Sequence, residues 1–425
     1  MALAFNREKL SDGINFTTIT DSKFKTNFIL VRLISKLNKE TVSEHAIIPN
    51  LLITSNSTFK TRTELTKKLS GLYGSNLGTV NHKLADNQVV GISASCICDE
   101  YALNGEKLTS ELTDIILECI FKPQIENDGF SEKDFILRKQ ELIDGIDAEI
   151  NDKRTYAIIR ANTTIYKDEP SSLPSYGTRE GAVNLNPQAT YKAFKNLLKT
   201  AQIEITCAGG GNLDYAKEKL KQAFLSIERE SVVNIFNNYS PIKPEVIEVT
   251  ESVDVNQCKM VMAFKSSFNN LFANRLMATM LGGTAFSKLF VNVREKLSLC
   301  YYCASGYVEG KGVLIVDSGV EKDNIPKARE EIINQINALA KGDFTEDEIK
   351  NAILSIAGDY KSNYDSTNDL SSWFFIQSIR ETYYTPEQAI EALNKISRED
   401  VIKSASALKL DTVYIMQGLD KEGEE

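Results

Sequence analysis

The chain has 425 residues, and this length favours two domains of about 200 residues each over a single core. Its 42% hydrophobic and 25% charged residues are typical of a globular protein, and its net charge of -9 argues against nucleic acid as a partner. The sequence lacks an apolar run of the roughly 18 residues that span a bilayer, and its start lacks the apolar stretch of a signal peptide. We therefore expect a cytoplasmic protein that binds neither membrane nor nucleic acid.

Three features recur in the same order in the two halves of the chain. They are a helix followed by two strands, a capping-box pattern that begins a long helix, and a helix that leads to a closing strand. In the first half these features lie at 65–98, at Ser131 and at 178–207. In the second half they lie at 289–316, at Thr345 and at 385–416. This ordered recurrence predicts a duplicated fold.

The recurrence also sets the predicted domain organisation. An N-terminal domain is expected over 1–230 and a C-terminal domain over 245–425, with a linker at 231–244, where two prolines interrupt the periodicity. The predicted fold class is α+β, and each domain is expected to be a mostly antiparallel sheet with helices packed on one face. The last residues, 420–425, are predicted to form a frayed acidic tail.

The seven cysteines are scattered along the chain, which is typical of buried thiols in a reducing compartment and not of a disulfide framework. Cys300 and Cys303 form a Cys-x-x-Cys pair inside a strand pattern. Because no second pair accompanies them, they are interpreted as structural, and not as a metal or redox site.

The most informative segment is 294–301, which places an arginine and a tyrosine seven positions apart. An apolar helical pattern ends at Gly282-Gly283 before it, and two strand patterns separated by a glycine turn at 310–312 follow it. This segment resembles the second-domain signature of the insulinase/pitrilysin family of zinc peptidases. The duplicated α+β order resembles the same family over about 24–418.

The resemblance implies roles for two residues of this segment. Arg294 and Tyr301 match the family's arginine and tyrosine, which would hold the substrate backbone and stabilise the oxyanion that develops during attack. From the residues alone an alternative stays open. Arg294 would then cap its helix and pair with a nearby acid, and Tyr301 would be an aromatic residue of a strand.

In the same family the first domain binds zinc through His-x-x-Glu-His on a helix, with a glutamate from a later helix as third ligand. These positions are degenerate here. If His45 is the first ligand, Ile48 replaces the base and Pro49 replaces the second ligand. A second register ends at His45 but places Thr41 at the first ligand, and the third-ligand position near Ile146 holds no glutamate. We therefore expect no metal or other cofactor on this chain.

The whole pattern is similar to the zinc-free subunit of bacterial heterodimeric insulinase-family peptidases. Three short motifs are similar to the type associated with elongation factor P modification, namely Glu40-Thr41-Val42, Leu72-Tyr73-Gly74 and Lys167-Asp168-Glu169-Pro170. The resemblance implies a sister subunit that bears zinc, and a short or unfolded peptide as substrate. This chain would form half of the chamber and supply Arg294 and Tyr301 to the active site of the sister subunit.

Two alternatives remain open at the level of sequence. One is a self-sufficient metallopeptidase with an unusual ligand set of Glu44, His45 and either Asp144 or Asp147. The other is a purely structural or chaperone-like relative that makes no catalytic contribution.

Overall fold

The computed structural model describes residues 3–235 and 238–419. Positions 236 and 237 of the predicted linker and the predicted tail at 420–425 lie outside the described residues. The strands are β1 (Ala4–Ser11), β2 (Ile14–Thr20), β3 (Thr26–Lys36), β4 (Asn76–Leu84), β5 (Asn87–Ile97), β6 (Ile125–Glu126), β7 (Gly129–Phe130), β8 (Gln202–Gly209), β9 (Ile247–Val253), β10 (Cys258–Lys265), β11 (Cys300–Val308), β12 (Val313–Val320) and β13 (Lys409–Gly418).

The α-helices are α1 (Val42–Leu52), α2 (Arg62–Gly71), α3 (Leu108–Phe121), α4 (Glu132–Asp147), α5 (Lys153–Ile165), α6 (Arg179–Val183), α7 (Pro187–Thr200), α8 (Asp214–Leu225), α9 (Leu271–Gly282), α10 (Ile325–Ala340), α11 (Glu346–Ser362), α12 (Thr367–Ile379), α13 (Pro386–Leu393) and α14 (Arg398–Ser406). Leu289–Lys296 forms a π-helix. Within the two described stretches, none of the helices has the combined length and apolarity that crossing a bilayer requires.

The chain forms two compact units, and each unit is built from three segments. The first unit comprises Met1–Asp147, Leu173–Phe236 and Asn363–Tyr383. The second unit comprises Ala148–Ser172, Asn237–Ser362 and Tyr384–Glu425. Each unit therefore takes in a segment from the opposite half of the sequence. The predicted domains, 1–230 and 245–425, are contiguous in sequence and do not include the exchanged segments. Their bounds stay a prediction.

The first unit is built on a six-stranded sheet of order β1-β2-β8-β3-β5-β4. Only β2 and β8 pair in parallel, so the sheet is mostly antiparallel. On β3, Ile29 and Val31 face the main core, which helices α1, α3, α7 and α8 complete. The alternate residues Phe28 and Leu30 point to the opposite face, as strand pleating requires, and pack against α12.

The second unit is built on a five-stranded sheet of order β11-β12-β10-β13-β9, in which only β9 and β13 pair in parallel. One face of this sheet, including Val261 and Tyr414, packs against α5 through Ala157 and Ala161. The small alanine side chains let this helix approach the sheet closely. Helices α9, α10, α11, α13 and α14 pack against one another in the same unit.

The predicted α+β class, with mostly antiparallel sheets that carry packed helices, is confirmed. Each sheet has a helix on its second face, and that helix comes from the opposite half of the sequence. The physical reason lies in the strand pattern, because β3 and β10 are apolar on both faces and each face has to be covered.

The predicted helix starts are confirmed at both capping positions. Helix α11 begins after Thr345, whose hydroxyl accepts from the N–H of Glu348 at 3.2 Å while the Glu348 carboxylate accepts from the N–H of Thr345 at 2.7 Å. Helix α4 begins after Ser131, and the Ser131 carbonyl accepts the first helical bond. The N–H of Ser131 donates to the carbonyl of Gln124. In a capping box this N–H would instead donate to a side chain in the first turn of the helix.

A buried network of charges lies within the second unit. The carboxylate of Asp411 is fully buried and accepts from the Lys243 ammonium at 2.5 Å. The Lys265 ammonium is also buried, lies 3.4 Å from Asp411 and donates to the carbonyl of Pro241 at 2.9 Å. Lys243 and Pro241 belong to the predicted linker, which this network anchors to β10 and β13.

Candidate functional site

Arg294 lies on the π-helix that follows α9. Hydrogen bonds from residue i+5 back to residue i define such a helix, and here the N–H of Leu297 donates to the carbonyl of Asn292 at 3.2 Å. Leu289 and Val293 are fully buried and fix the inner side of this turn. π-Helices are rare and occur frequently at functional sites.

The Arg294 side chain is held at the surface by its own neighbours. Its guanidinium lies 4.5 Å from the centre of the Phe290 ring and 3.7 Å from the Glu295 carboxylate, and 41% of the side chain is exposed. The distance to Glu295 is too long for a hydrogen bond. The guanidinium donors can therefore reach an incoming acceptor.

Tyr301 occupies a β-bulge at the beginning of β11. In the ladder with β12, Cys300 pairs with Val320 and Tyr302 pairs with Gly319, so Tyr301 is an extra residue without a partner opposite it. Its side chain is 64% exposed. β11 is the edge strand of this sheet, and among the described strands it pairs with β12 alone.

Gly282 sets the distance between α9 and β11. A Cβ atom added at Gly282 would lie 2.6 Å from the backbone nitrogen of Ser305, which is closer than real Cβ contacts come. The Ser305 hydroxyl also donates to the carbonyl of Ala278 on α9 at 2.8 Å. The glycine singled out in the sequence therefore lets the helix before the π-helix pack directly on the strand that follows it.

The degenerate zinc-motif positions lie on α1 in the first unit, and the structure places them in the core. His45 is 6% exposed, and its Nδ1 lies 3.2 Å from the Ser35 hydroxyl and 3.3 Å from the Gln88 amide oxygen. Burial lowers the pKa of His45 to about 4, and the hydrogen bond to Gln88 opposes this effect. His45 is therefore a neutral, hydrogen-bonded core residue at neutral pH.

Ile48 and Pro49 are buried on the same helix. Both line an apolar cavity of about 10 Å³ together with Leu33 and Val90 of the sheet. Pro49 has no N–H to donate to the carbonyl of His45, so it interrupts the helical ladder within α1. Neither position offers a metal ligand or a general base.

The acidic residues near the third-ligand position have other partners. The Asp147 carboxylate accepts two hydrogen bonds from Arg179 at 2.6 and 2.9 Å, and Asp144 accepts from Gln140 at 2.7 Å. Among the described residues, no group of three or more His, Cys, Asp or Glu side chains could hold a metal ion. The residues present therefore do not fit the catalytic zinc that the resemblance implies for the family, which needs three protein ligands.

The predicted site residues thus fall into two sets in two different units. Arg294 and Tyr301 are close in sequence and exposed in the second unit, and they can donate hydrogen bonds to a carbonyl oxygen or an oxyanion. His45, Ile48 and Pro49 are together on one helix of the first unit and buried. The π-helix and the bulge were not predicted from the sequence. Between them, Ser298 adopts a left-handed backbone conformation with a φ of 50°.

Comparison with known proteins gives the following similarities. The profile of the family described as "Peptidase M16 inactive domain" matches residues 184–356. The "Probable inactive metalloprotease YmfF" of Bacillus subtilis is 26% identical over 412 residues, covering 96% of each chain. An "Uncharacterized zinc protease" of Rickettsia bellii is 22% identical over 423 residues, covering 95% of each chain.

Solved structures of similar fold cover nearly all of the chain. A conserved protein from Enterococcus faecalis V583 has a TM-score of 0.91 at 25% identity, with 99% of this chain and 100% of that chain covered. A peptidase M16 inactive domain from Pseudomonas fluorescens has a TM-score of 0.80 at 15% identity, with 100% of both chains covered. At 15% identity the second likeness concerns the fold alone.

Proposed function

Because this chain is an insulinase-type homologue of the inactive M16 kind, we propose that it is the zinc-free subunit of a heterodimeric peptidase. A zinc-bearing sister subunit of the same family supplies the metal and the general base. This chain supplies Arg294 and Tyr301 and forms half of the chamber, which admits short or unfolded peptides. The proposed location is the cytoplasm, and a link to elongation factor P modification stays a prediction.

The observation that supports this proposal best is the contrast between the two sets of site residues. The phenol of Tyr301 is exposed on a bulge and the guanidinium of Arg294 is exposed on a π-helix. The motif positions on α1, in contrast, are built into an apolar core. Exposed oxyanion donors, together with the lack of a metal-binding group among the described residues, fit a role as one partner of a divided active site.

The residues of this chain would act on the substrate and on its transition state. Arg294 offers several N–H donors in a fixed planar geometry, which suits a peptide carbonyl or a carboxylate. Tyr301 offers one O–H donor that can shorten its hydrogen bond as negative charge develops on the attacked carbonyl oxygen. Division of the site between two chains would restrict cleavage to the assembled, water-restricted chamber.

The first experiment concerns the purified single chain. We expect no stoichiometric zinc by elemental analysis and no peptide cleavage, because the described residues provide no set of three ligands. About one zinc per chain that is lost in the His45→Gln variant would instead support the self-sufficient metallopeptidase with Glu44, His45 and Asp144 or Asp147.

The second experiment uses the complex purified from the native host together with its sister subunit. Arg294→Ala and Tyr301→Phe should leave assembly and zinc content unchanged but lower peptide cleavage by about a hundredfold, the effect of losing one oxyanion donor. Matched controls are Arg329→Ala, which removes an arginine paired with Glu248, and Tyr215→Phe, which removes an exposed hydroxyl bonded to Asp114.

The outcome separates a catalytic from a structural role. A loss mainly in kcat indicates that Arg294 and Tyr301 act on the transition state, and a rise mainly in KM indicates that they hold the substrate. If both variants cleave peptide at the parental rate, the chain is a scaffold or chaperone-like subunit and the proposal fails.

A further inference from the structure

The bulge at Tyr301 also brings two cysteines onto one face of β11. In a regular strand, residues at i and i+3 point to opposite faces. Here Cys300 pairs with Val320 and Cys303 pairs with Ser318, so the extra residue restores the two cysteines to the same side. The sequence-based interpretation of a purely structural pair did not include this change of register.

The ladder also fixes how far apart the two cysteines are. Their partners Ser318 and Val320 are two residues apart on β12, and two strand steps span about 6.6 Å. This spacing lies at the upper end of the Cα–Cα range of disulfides, about 4.4–6.8 Å. A bridge is therefore geometrically accessible, and its extreme spacing favours a bond that is easily reduced again.

The environment of the two thiols differs from that of Cys96, Cys119 and Cys207. A hydrogen bond from Cys303 holds the pKa of the Cys300 thiol below its ordinary value, burial opposes this effect, and the charge of Arg294 adds to it. The pKa of Cys303 lies above its ordinary value, mainly because of the same hydrogen bond. Burial raises the pKa of Cys96, Cys119 and Cys207 to about 12.

We propose that Cys300 and Cys303 are an oxidisable dithiol that forms a reversible intrastrand disulfide next to Arg294 and Tyr301. Cys300, which is 8% exposed, is the attacking sulfur, and Cys303, which is 5% exposed, is the resolving sulfur. The oxidant is a peroxide or a small disulfide. Formation of the bond is a property of the isolated chain, and only its effect on catalysis rests on the proposed function.

With hydrogen peroxide the step proceeds in two stages. The Cys300 thiolate attacks one peroxide oxygen, a sulfur–oxygen bond forms, the oxygen–oxygen bond breaks and hydroxide leaves. The sulfur of Cys303 then attacks the Cys300 sulfenic acid, a sulfur–sulfur bond forms, and the sulfenic oxygen leaves as water with the proton of Cys303. Two thiols are oxidised to one disulfide, and one peroxide is reduced to two waters.

The sequence offers a direct readout of this bond. Trypsin cleaves after Lys296 and Lys311, so both cysteines fall in the single peptide 297–311, which contains no other cysteine. After peroxide treatment of the purified chain, this peptide should be lighter by two hydrogen atoms and should return to its original mass with dithiothreitol. In the native reduced chain, iodoacetamide should alkylate Cys300 about tenfold faster than the buried Cys96, whose pKa burial raises to about 12.

Variants provide matched controls for the chemistry. Cys300→Ser and Cys303→Ser should abolish the mass loss, whereas Cys258→Ser, at a buried position on strand β10 of the same sheet, should retain it. If peptide 297–311 of the folded parent keeps both thiols under peroxide, or if Cys300 and Cys96 are alkylated at equal rates, the proposal is overturned.

A last measurement separates this proposal from the proposed function. In the reconstituted pair, oxidation should lower peptide cleavage at least tenfold, dithiothreitol should restore it, and Cys303→Ser should not respond. Parental cleavage by the oxidised pair would refute an effect of the bridge on Arg294 and Tyr301. A pair that cleaves nothing in either state counts against the proposed function, and the mass measurement still decides whether the dithiol exists.

Discussion

The charge network of the second unit makes a quantitative prediction for Asp411→Asn. The carboxylate of Asp411 accepts from the Lys243 ammonium at 2.5 Å, from the Lys243 N–H at 3.0 Å and from the Thr412 hydroxyl at 2.8 Å. The variant leaves the ammonium groups of Lys243 and Lys265 without this negative charge. Removal of one partner of a buried ion pair costs about 3–5 kcal/mol, because the remaining charge is uncompensated.

The expected consequence is a lower unfolding temperature. For a unit of about 200 residues, 1 kcal/mol lowers Tm by about 2–4 °C, so Asp411→Asn should lower the Tm of the second unit by about 6–20 °C. Differential scanning calorimetry measures this change. The matched control is Glu248→Gln, which removes an exposed partner of Arg329 and should change Tm by less than about 4 °C.

The pH dependence gives an independent check of the same reasoning. Burial alone would raise the pKa of Asp411, but hydrogen bonds from Lys243 and Thr412 outweigh it and hold the pKa below its ordinary value. The ionised Asp411 carboxylate therefore stabilises the fold fully above the ordinary pKa of about 3.9. This stabilisation is lost as pH falls through the lower pKa that Asp411 has in the folded protein. Equal Tm values for Asp411→Asn, Glu248→Gln and the parent would refute the argument.

Three further variants test packing and protonation. Gly282→Ala should cost about 1–3 kcal/mol in chemical denaturation because its Cβ would contact the backbone of β11, whereas Gly358→Ala, in open space on α11, should stabilise by about 0.5–1 kcal/mol. Phe374→Ala, which removes a ring stacked on Phe5 at 4.2 Å, should cost about 3–5 kcal/mol, and the exposed Leu354→Ala should change stability by less than about 0.5 kcal/mol. The folded pKa of His45, about 4, lies below the ordinary 6.5, so the parent should lose about 3 kcal/mol as pH falls from 6.5 to 4. Urea titrations should show that this loss is absent in His45→Gln, and a loss of equal size in that variant would contradict the assignment.

Local patterns in the sequence predicted local structure well. The capping box at Thr345, the closing strand near Ile203 and the turn before Val313 depend on residues within a few positions of each other, and all three are present. The residue types at the degenerate zinc-motif positions can be read from the sequence one position at a time, and the expectation of no metal on this chain stays a prediction. Apolar residues occupy these positions, and α1 is a core helix with Ile48 and Pro49 buried.

The parts that sequence did not predict depend on distant partners or on hydrogen-bond register. Helix α12 has apolar side chains on more than one side, among them Leu370, Trp373 and Phe375, which indicates burial but does not indicate the sheet that it covers. The bulge at Tyr301 follows from which residues of β12 pair with Cys300 and Cys303, and alternation along one strand does not contain that information. For this reason the sequence does not predict that the two cysteines of the Cys-x-x-Cys pair share one face of β11.

The exchange of helices between the two halves has a consequence for synthesis on the ribosome. The sheet of the first unit is complete once β8 has emerged, but the helix that covers its second face, α12, is about 160 residues further along the chain. At a synthesis rate of roughly 5–20 residues per second, α12 follows the sheet by about 8–30 seconds. Until then the apolar side chains of Ile19, Phe28 and Leu30 are not covered by this helix. During this interval an apolar face of the sheet is exposed on the nascent chain. We expect a ribosome-associated chaperone to bind this face. A fragment that stops at residue 230 would keep that face bare permanently.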